Sequence, residues 1–450
     1  MKQKIYFECK ECGYRSPKWL GKCPSCNSWD SFIEEMTSSA DKKLSLNKIQ
    51  QAKVVKLKDI ETDNNYRMVS GIGELDRTLG GGIVPGSLIL VGGDPGIGKS
   101  TLLLQMCSQL SDRNPLYITG EESLRQIKVR ADRLGSINSE LDLMSETNIE
   151  LINAAIENSS AEVVVLDSIQ SVYTERAEST PGSIIQVREC ASLMMRTAKK
   201  TGKSILIIGH VTKDGAIAGP KILEHLVDTV LQFEGDKMYS YRILRALKNR
   251  YGSTNEIGIF EMKNSGMREV TNPSELFLAK RTCDESGIAI AAAMEGSRPL
   301  LMEVQALVTP SGYSVPQRIS NGIDQRRLQM ILSVLEKRLG MPFRQNDVFV
   351  NIAGGLYVDD PAADLALAVA LVSSLRDMPV EHNSVFIGEI GLTGEIRQVS
   401  SIEQRINEAV KLGFDNIYAP NNPFKNASNL GGSRIKVIER ISLALTELFA

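Results

Sequence analysis

Leu88-Ile89-Leu90-Val91-Gly92-Gly93-Asp94-Pro95-Gly96-Ile97-Gly98-Lys99-Ser100-Thr101-Leu102-Leu103-Leu104-Gln105-Met106 sets an apolar run, a glycine-rich turn and a second apolar run in direct succession. The first run reads as a buried strand. The second, from Thr101, reads as the opening of a helix. Between them Gly93, Gly98, Lys99 and Ser100 meet every fixed position of G-x-x-x-x-G-K-[ST]. Glycines let successive backbone N–H groups turn inward on a phosphate, and the helix N-terminus adds favourable partial charge. Lys99 would then reach the β- and γ-phosphates, while the Ser100 hydroxyl would hold Mg²⁺. Gly93, Asp94, Pro95, Gly96, Ile97, Gly98, Lys99, Ser100 and Thr101 are therefore expected to bind ATP. An ordinary strand–helix turn is the competing reading, and the flanking strand and helix argue against it.

Working outward, the chain has 450 residues, enough for two or three domains with cores of their own. Its composition, 42% hydrophobic and 24% charged, is that of a soluble globular protein. No apolar run approaches the roughly 20 residues that span a bilayer. Met1-Lys2-Gln3-Lys4 leads straight into a cysteine motif without a signal-peptide core, so a cytoplasmic protein is expected, with no membrane partner. A net charge of −2 neither advertises nor excludes a nucleic-acid partner.

Four of the seven cysteines form Cys9-x2-Cys12-x10-Cys23-x2-Cys26. Two C-x2-C pairs set four thiolates on two tight turns, which suits a structural, tetrahedral Zn²⁺. Two disulfides are the competing reading, disfavoured in a cytosolic chain. Tyr14, Lys18, Trp19 and Trp29 either cover the metal core or face a nucleic acid or protein. Residues 1–33 form this zinc-binding module. Residues 34–59 read as a linker, with six lysines between Lys42 and Lys58 and little apolar content.

Residues 60–270 alternate short apolar strands with helices, the pattern of a parallel sheet covered on both faces. Strands are expected at 88–91, 116–119, 163–166, 205–209 and 229–233, with helices at 101–110, 124–134, 149–158 and 185–201. Val163–Leu166 ends in Asp167, which is placed to bind Mg²⁺ through water; the competing role is a helix cap. Tyr117–Thr119 runs into Glu121 and Glu122. Glu121 is assigned to orient and polarise the attacking water, with Glu122 as runner-up; helix N-terminal charge is the competing role. His210 follows a strand end, where it would sense the γ-phosphate or serve only in packing. Lys248-Asn249-Arg250-Tyr251-Gly252 is a basic cluster beyond the expected sheet. Its two cations suit phosphate, although composition alone favours a solvated turn. Residues 271–450 change texture and form a separate α/β domain.

These residues carry a resemblance. Ser70-Gly71-Ile72-Gly73-Glu74-Leu75-Asp76-Arg77, Gly80–Gly82, Pro85-Gly86 and the phosphate loop resemble the RecA-type ATPase core. With the four-cysteine module and Lys248–Gly252, the chain is similar to the bacterial RadA (Sms) family of DNA repair ATPases. That family's signature is K-N-R-F-G, and here Tyr251 stands in place of Phe. The resemblance implies a DNA-dependent ATPase that binds single-stranded DNA and drives branch migration of recombination intermediates. It further implies a homo-oligomer, a hexameric ring, working beside a RecA-type recombinase. Lys248 and Arg250 would then act catalytically across the subunit interface or on DNA, as an arginine finger does. Loops at 171–182 and 211–220 would face DNA, with Arg176 and Lys213 as contacts.

The final domain resembles that of Lon protease at Val350–Gly355, Asp359–Asp364 and Gly388–Glu395. The position of the Ser nucleophile falls on Ala362 and that of the Lys base near Glu403, so no peptidase is expected. Arg318, Arg326, Arg327, Arg338 and Arg344 would carry DNA or be ordinary helix surface. The alternatives to a motor are a RecA-type ATPase switch and, against the missing dyad, an ATP-dependent protease.

Overall fold

In the computed structural model the described residues are 5–9, 14–24, 29, 31–36, 56, 67–135, 138, 140–209, 220–235, 241–274, 278, 285–312, 315–421, 423 and 433–449. Contacts divide the chain into two units. The first comprises 1–234, 243–254 and 262–269; the second comprises 235–242, 255–261 and 270–450.

The N-terminal ribbon is an antiparallel sheet of β1 (Ile5–Cys9), β2 (Arg15–Ser16) and β3 (Phe32–Met36), with β1 in the middle. Cys9 and Cys23 are both fully buried and share a small core with Phe32, against which Phe7 and Leu20 pack. Cys12 and Cys26 lie outside the described residues.

The rest of the first unit begins with α1 (Gly73–Leu79), β4 (Leu88–Gly92), α2 (Lys99–Gln109), β5 (Leu116–Thr119) and α3 (Leu124–Leu134). It continues with β6 (Asp142–Ser145), α4 (Ile149–Asn158), β7 (Val163–Asp167), α5 (Ile184–Thr201), β8 (Ser204–Ile208), α6 (Pro220–Leu226) and β9 (Thr229–Glu234). Then come β10 (Tyr241–Asn249), β11 (Ile257–Lys263) and β12 (Gly266–Glu269), of which 241–242 and 257–261 are counted with the second unit. Strand order across the sheet is β12-β11-β10-β9-β4-β8-β7-β5-β6. From β9 to β6 every pairing is parallel, and β10 joins β9 antiparallel. Strands β4, β7 and β8 are buried at every position because helices cover both faces. Parallel strands bring their C-terminal ends to one edge, so the phosphate loop after β4, Glu121 beyond β5 and Asp167 on β7 converge there.

The second unit holds β13 (Ile288–Glu295), β14 (Arg298–Pro310), β15 (Arg318–Asn321), α7 (Gln325–Leu339), β16 (Asn346–Ile352) and α8 (Asp364–Arg376). After them come β17 (Ser384–Phe386), β18 (Glu389–Ile390), β19 (Ile396–Arg397), α9 (Ile402–Lys411), β20 (Asn416–Ala419), β21 (Arg434–Val437) and α10 (Ile441–Phe449). A seven-stranded mixed sheet in the order β15-β16-β14-β13-β17-β20-β21 packs against α8, a helix buried from Asp364 to Ser373. This is the separate α/β domain with a Lon-protease-like fold expected of the last part of the chain.

Several elements lie outside the expected strands and helices, among them α1, β12, β15, β20, β21 and α10 as well as β6 and α6. Strand β6 is a four-residue edge strand with no fully buried position, and α6 is a single short helix. Neither is long enough to show a period.

Candidate ATP site

A cavity of about 530 Å³ opens at the C-terminal edge of the first unit's parallel sheet, lined by Pro95, Gly96, Gly98, Lys99, Ser100, Thr101, Glu121, Glu122 and Asp167. The loop that forms its floor depends on glycine. Gly98 has φ +116°, and a Cβ there would lie 2.5 Å from the Met267 Cε and 2.6 Å from the Met262 Cε. Gly93, at φ +145°, would place a Cβ 2.9 Å from the Phe233 Cβ. The positive φ at both positions is one that side chains other than glycine rarely adopt.

Lys99 is 4% exposed, and its Nζ donates to the carbonyl oxygens of Gly93 at 2.7 Å and Asp94 at 3.0 Å. Burial pulls its ammonium down to about 8, against the opposing influence of Asp167, Asp94 and Glu121. The Tyr117 hydroxyl donates to Asp167 Oδ2 at 2.6 Å, and burial with this neighbouring carboxylate pushes the phenol well above its ordinary value. Tyr117 thus holds one oxygen of Asp167 and fixes the rotamer of a residue that lines the cavity. The helix-cap alternative for Asp167 does not hold: the next helix, α5, begins at Ile184 and is capped by Ser183.

The two glutamates separate. Glu122 forms an ion pair with Arg130 of α3, and Ser123 rather than either glutamate caps that helix through a capping box with Gln126. Glu121 accepts a hydrogen bond from Ser168 Oγ, next to Asp167. Of the pair, Glu121 is the one tied to the Asp167 end of the site.

Arg130 and Arg133 also line the cavity, and the sequence reading missed both. Arg130 Nη1 is buried without a hydrogen-bond partner. The available signal was helical phase: Arg130 and Arg133 stand three apart on α3.

Other expected residues lie elsewhere. Lys248 and Asn249 are the last residues of β10 rather than part of a turn, and the exposed turn begins at Arg250. Lys248 Nζ donates to the carbonyl oxygens of Glu224 and, at 2.9 Å, Val227, which close α6. Arg250 Nη1 lies 3.2 Å from Asp228 Oδ1 and Lys199 Nζ lies 2.9 Å from its Oδ2, which also accepts the Leu88 N–H at 3.0 Å. Lys199 reaches the Tyr251 hydroxyl at 3.0 Å. Because Leu88 begins β4 and the phosphate loop follows its end at Gly92, this knot sits roughly 13 Å of strand away from the loop. Arg176 is exposed and pairs with Glu150 at 3.4 Å. His210 and Lys213 lie outside the described residues.

In the second unit Ala362 is fully buried, with no hydroxyl to attack a peptide. Glu403 is exposed on α9; the buried cation of this neighbourhood is Arg405, two residues on. Its Nη1 lies 2.6 Å from Asp360 Oδ2 and donates to the Ala292 carbonyl at 2.7 Å. Helix phase explains the shift: Ile402, Arg405, Ile406 and Ala409 form the inward stripe of α9, and Glu403 falls outside it. Of the five arginines named above, Arg327 is locked in a two-point pair with buried Asp364, while Arg318 and Arg344 both pair with Glu336.

Known proteins resemble successive parts of this chain. A family model described as a rubredoxin metal binding domain matches residues 7–34, one described as an AAA domain matches 55–216, and one described as subunit ChlI of Mg-chelatase matches 322–423. A DNA repair protein RadA of Halalkalibacterium halodurans is 51% identical over 97% of this chain and 96% of its own. That of Bacillus subtilis is 50% identical over 98% and 97%, and that of Streptococcus pyogenes serotype M1 is 48% identical over the full length of both. Among solved structures, the RadB recombinase aligns with 45% of this chain and 98% of its own at 21% identity, with a TM-score of 0.37 too low to bear on function.

Proposed function

The chain belongs to the RadA family of DNA repair proteins, and from that premise we propose that it is a DNA-dependent ATPase that binds single-stranded DNA and drives branch migration as a ring-shaped motor. It would act in the cytoplasm on branched recombination intermediates, beside a RecA-type recombinase. The observation that carries the reading is the convergence of the phosphate loop, Lys99, Asp167 and Glu121 on one cavity.

In this mechanism the backbone N–H groups of 93–99 and the Lys99 ammonium bind the β- and γ-phosphates. Lys99 exchanges its two loop carbonyls for phosphate oxygens. Ser100 and Asp167 are the residues to hold Mg²⁺, which supplies charge neutralisation on the transferring phosphoryl group. Glu121 orients water in line with the γ-phosphate and accepts its proton. Lys248 and Arg250 lie at the far end of this chain's own sheet, so a catalytic role for them belongs to a neighbour's nucleotide or to DNA. For the ribbon, the donor chemistry fits a thiolate-bound metal, because Cys9 and Cys23 come from separate C-x2-C arms and share one small core. Cys9, Cys12, Cys23 and Cys26 would hold Zn²⁺, which fixes the ribbon and takes no part in hydrolysis.

The decisive experiment measures ATP turnover of the purified chain with and without single-stranded DNA across a salt series. Turnover should rise with DNA, and the stimulation should fall steeply with salt as counterion release is lost. Turnover indifferent to saturating single-stranded DNA would sink the reading.

A further inference from the structure

Both tryptophans of the 450-residue chain, Trp19 and Trp29, lie in the N-terminal ribbon, and they are 53% and 75% exposed. Leaving indoles in water forgoes the largest apolar burial any side chain offers. Among the described residues they do not join the core around Cys9 and Cys23, which is made with Phe32, Phe7 and Leu20. Tyr14 is exposed as well, at 41%.

Cations lie next to these rings, although Asp30 directly follows Trp29 and strands β1 and β3 carry Glu8, Glu34 and Glu35. From Tyr14 to Trp29 the sequence holds Arg15, Lys18 and Lys22 and no acid, in a chain whose acids outnumber its Lys and Arg 54 to 52. An antiparallel bridge sets Lys22 beside Trp29, and the Lys22 ammonium sits 5.5 Å from the centre of that ring. Lys18 and Lys22 are both exposed, and Lys18 precedes Trp19 directly. Leu20, the one aliphatic side chain in the stretch apart from proline, packs into the ribbon core. The core of a protein-binding patch is depleted of lysine. Cations interleaved with bare aromatic faces instead match the chemistry of unpaired bases on a phosphate backbone.

We propose that these exposed side chains of the ribbon are base-stacking contacts for single-stranded DNA, with Trp19 and Trp29 receiving bases and Lys18 and Lys22 paired with the flanking phosphates. The proposal rests on the reading that the chain acts on single-stranded DNA, and it adds a contact outside the ATPase sheet. Duplex DNA buries its base faces and would engage the lysines alone.

The two indoles make the test direct, because the full-length chain has no tryptophan outside the ribbon. Titration with a thymidine oligonucleotide should quench tryptophan emission, with a duplex of equal length quenching little. Trp19→Ala and Trp29→Ala should each weaken oligonucleotide binding about five- to a hundredfold, and Trp29→Phe should restore part of the loss. Lys18→Ala with Lys22→Ala should lower the salt slope of binding. Zinc content measured on every variant checks that the ribbon is intact. Oligonucleotide binding seen by anisotropy with unchanged emission and unweakened tryptophan variants overturns the stacking contacts and leaves the ATPase reading standing. No oligonucleotide binding at all overturns both. Emission that responds to a RecA-type recombinase but not to the oligonucleotide makes the ribbon a protein-binding element and refutes the proposal.

Discussion

Lys99 and Lys248 each lay an ammonium against two backbone carbonyls, at opposite ends of one sheet. Their surroundings differ. Lys99 is buried among Asp94, Asp167 and Glu121 beside an open cavity, and its carbonyl partners belong to the loop expected to receive phosphate. Lys248 is half-buried, its carbonyls terminate α6, and Arg250 beside it joins burial in lowering its pKa against the attraction of Asp228 and Glu224. Hydrogen-bond counts therefore do not separate a lysine poised at its own chain's nucleotide cavity from one that is not. The sign of the neighbouring charge and the presence of space for a ligand do.

The sharpest test of this contrast is Lys99→Ala. Hydrolysis should fall on the order of a thousandfold, because the charge facing the β- and γ-phosphates is gone. Thermal stability should not fall, since the substitution removes a buried charge whose ionisation burial opposes. Early melting of this variant would make Lys99 a structural strap.

Lys248→Ala should act differently. ATP binding should stay near normal, while DNA-stimulated turnover falls at least about a hundredfold if this lysine serves a neighbour's phosphates. The lost bonds to Glu224 and Val227 should cost about 1 kcal/mol in unfolding free energy. A variant that unfolds at ambient temperature, or one with intact DNA stimulation, would reduce Lys248 to a cap on α6.

Much of this contrast could be read from residue order, and the rest lay in contacts that no local pattern encodes. The phosphate loop and the strand ending at Asp167 announce themselves, because a fully buried parallel strand is a continuous apolar run and its end is the functional edge. Asp228 gave no signal: it stands 29 residues from Lys199 and 140 from Leu88, and only the closed sheet brings them together. The same holds for Tyr117 and Asp167, 50 residues apart on neighbouring strands. The polar composition of Lys248–Gly252 suits a solvated turn, and that holds from Arg250 on, whereas Lys248 ends β10 with its ammonium on the carbonyls that close α6. Arg405 was within reach of helical phase, and an alignment to a remote motif drew attention to Glu403 instead.

Arg130 offers a smaller effect on the Lys99 side. Its pairing with Glu122 and its unpartnered buried Nη1 place a second cation on the cavity wall. Arg130→Ala should lower turnover roughly ten- to a hundredfold and leave the KM for ATP within a few-fold, because the contact would strengthen as charge develops on the transferring group. A change confined to KM would assign Arg130 to ground-state binding.

The mildest probe is pH. With its folded value lowered to about 8, Lys99 binds fewer protons than in the unfolded chain between about 8 and its ordinary value near 10.4. The unfolded state carries the extra proton in that window, so the stability of the nucleotide-free protein should rise with pH there. Nucleotide affinity should move the opposite way, since phosphate needs the ammonium. It should be flat below about pH 8 and weaken by about tenfold per unit above it. Isothermal titration with ADP across this range, in buffers of different ionisation enthalpy, should show proton uptake on binding above pH 8 and none below. Lys99→Ala should abolish that uptake and Lys248→Ala should leave it unchanged. Equal loss from both variants would mean that the two ends of the sheet share one titration, and the contrast between the lysines would be lost.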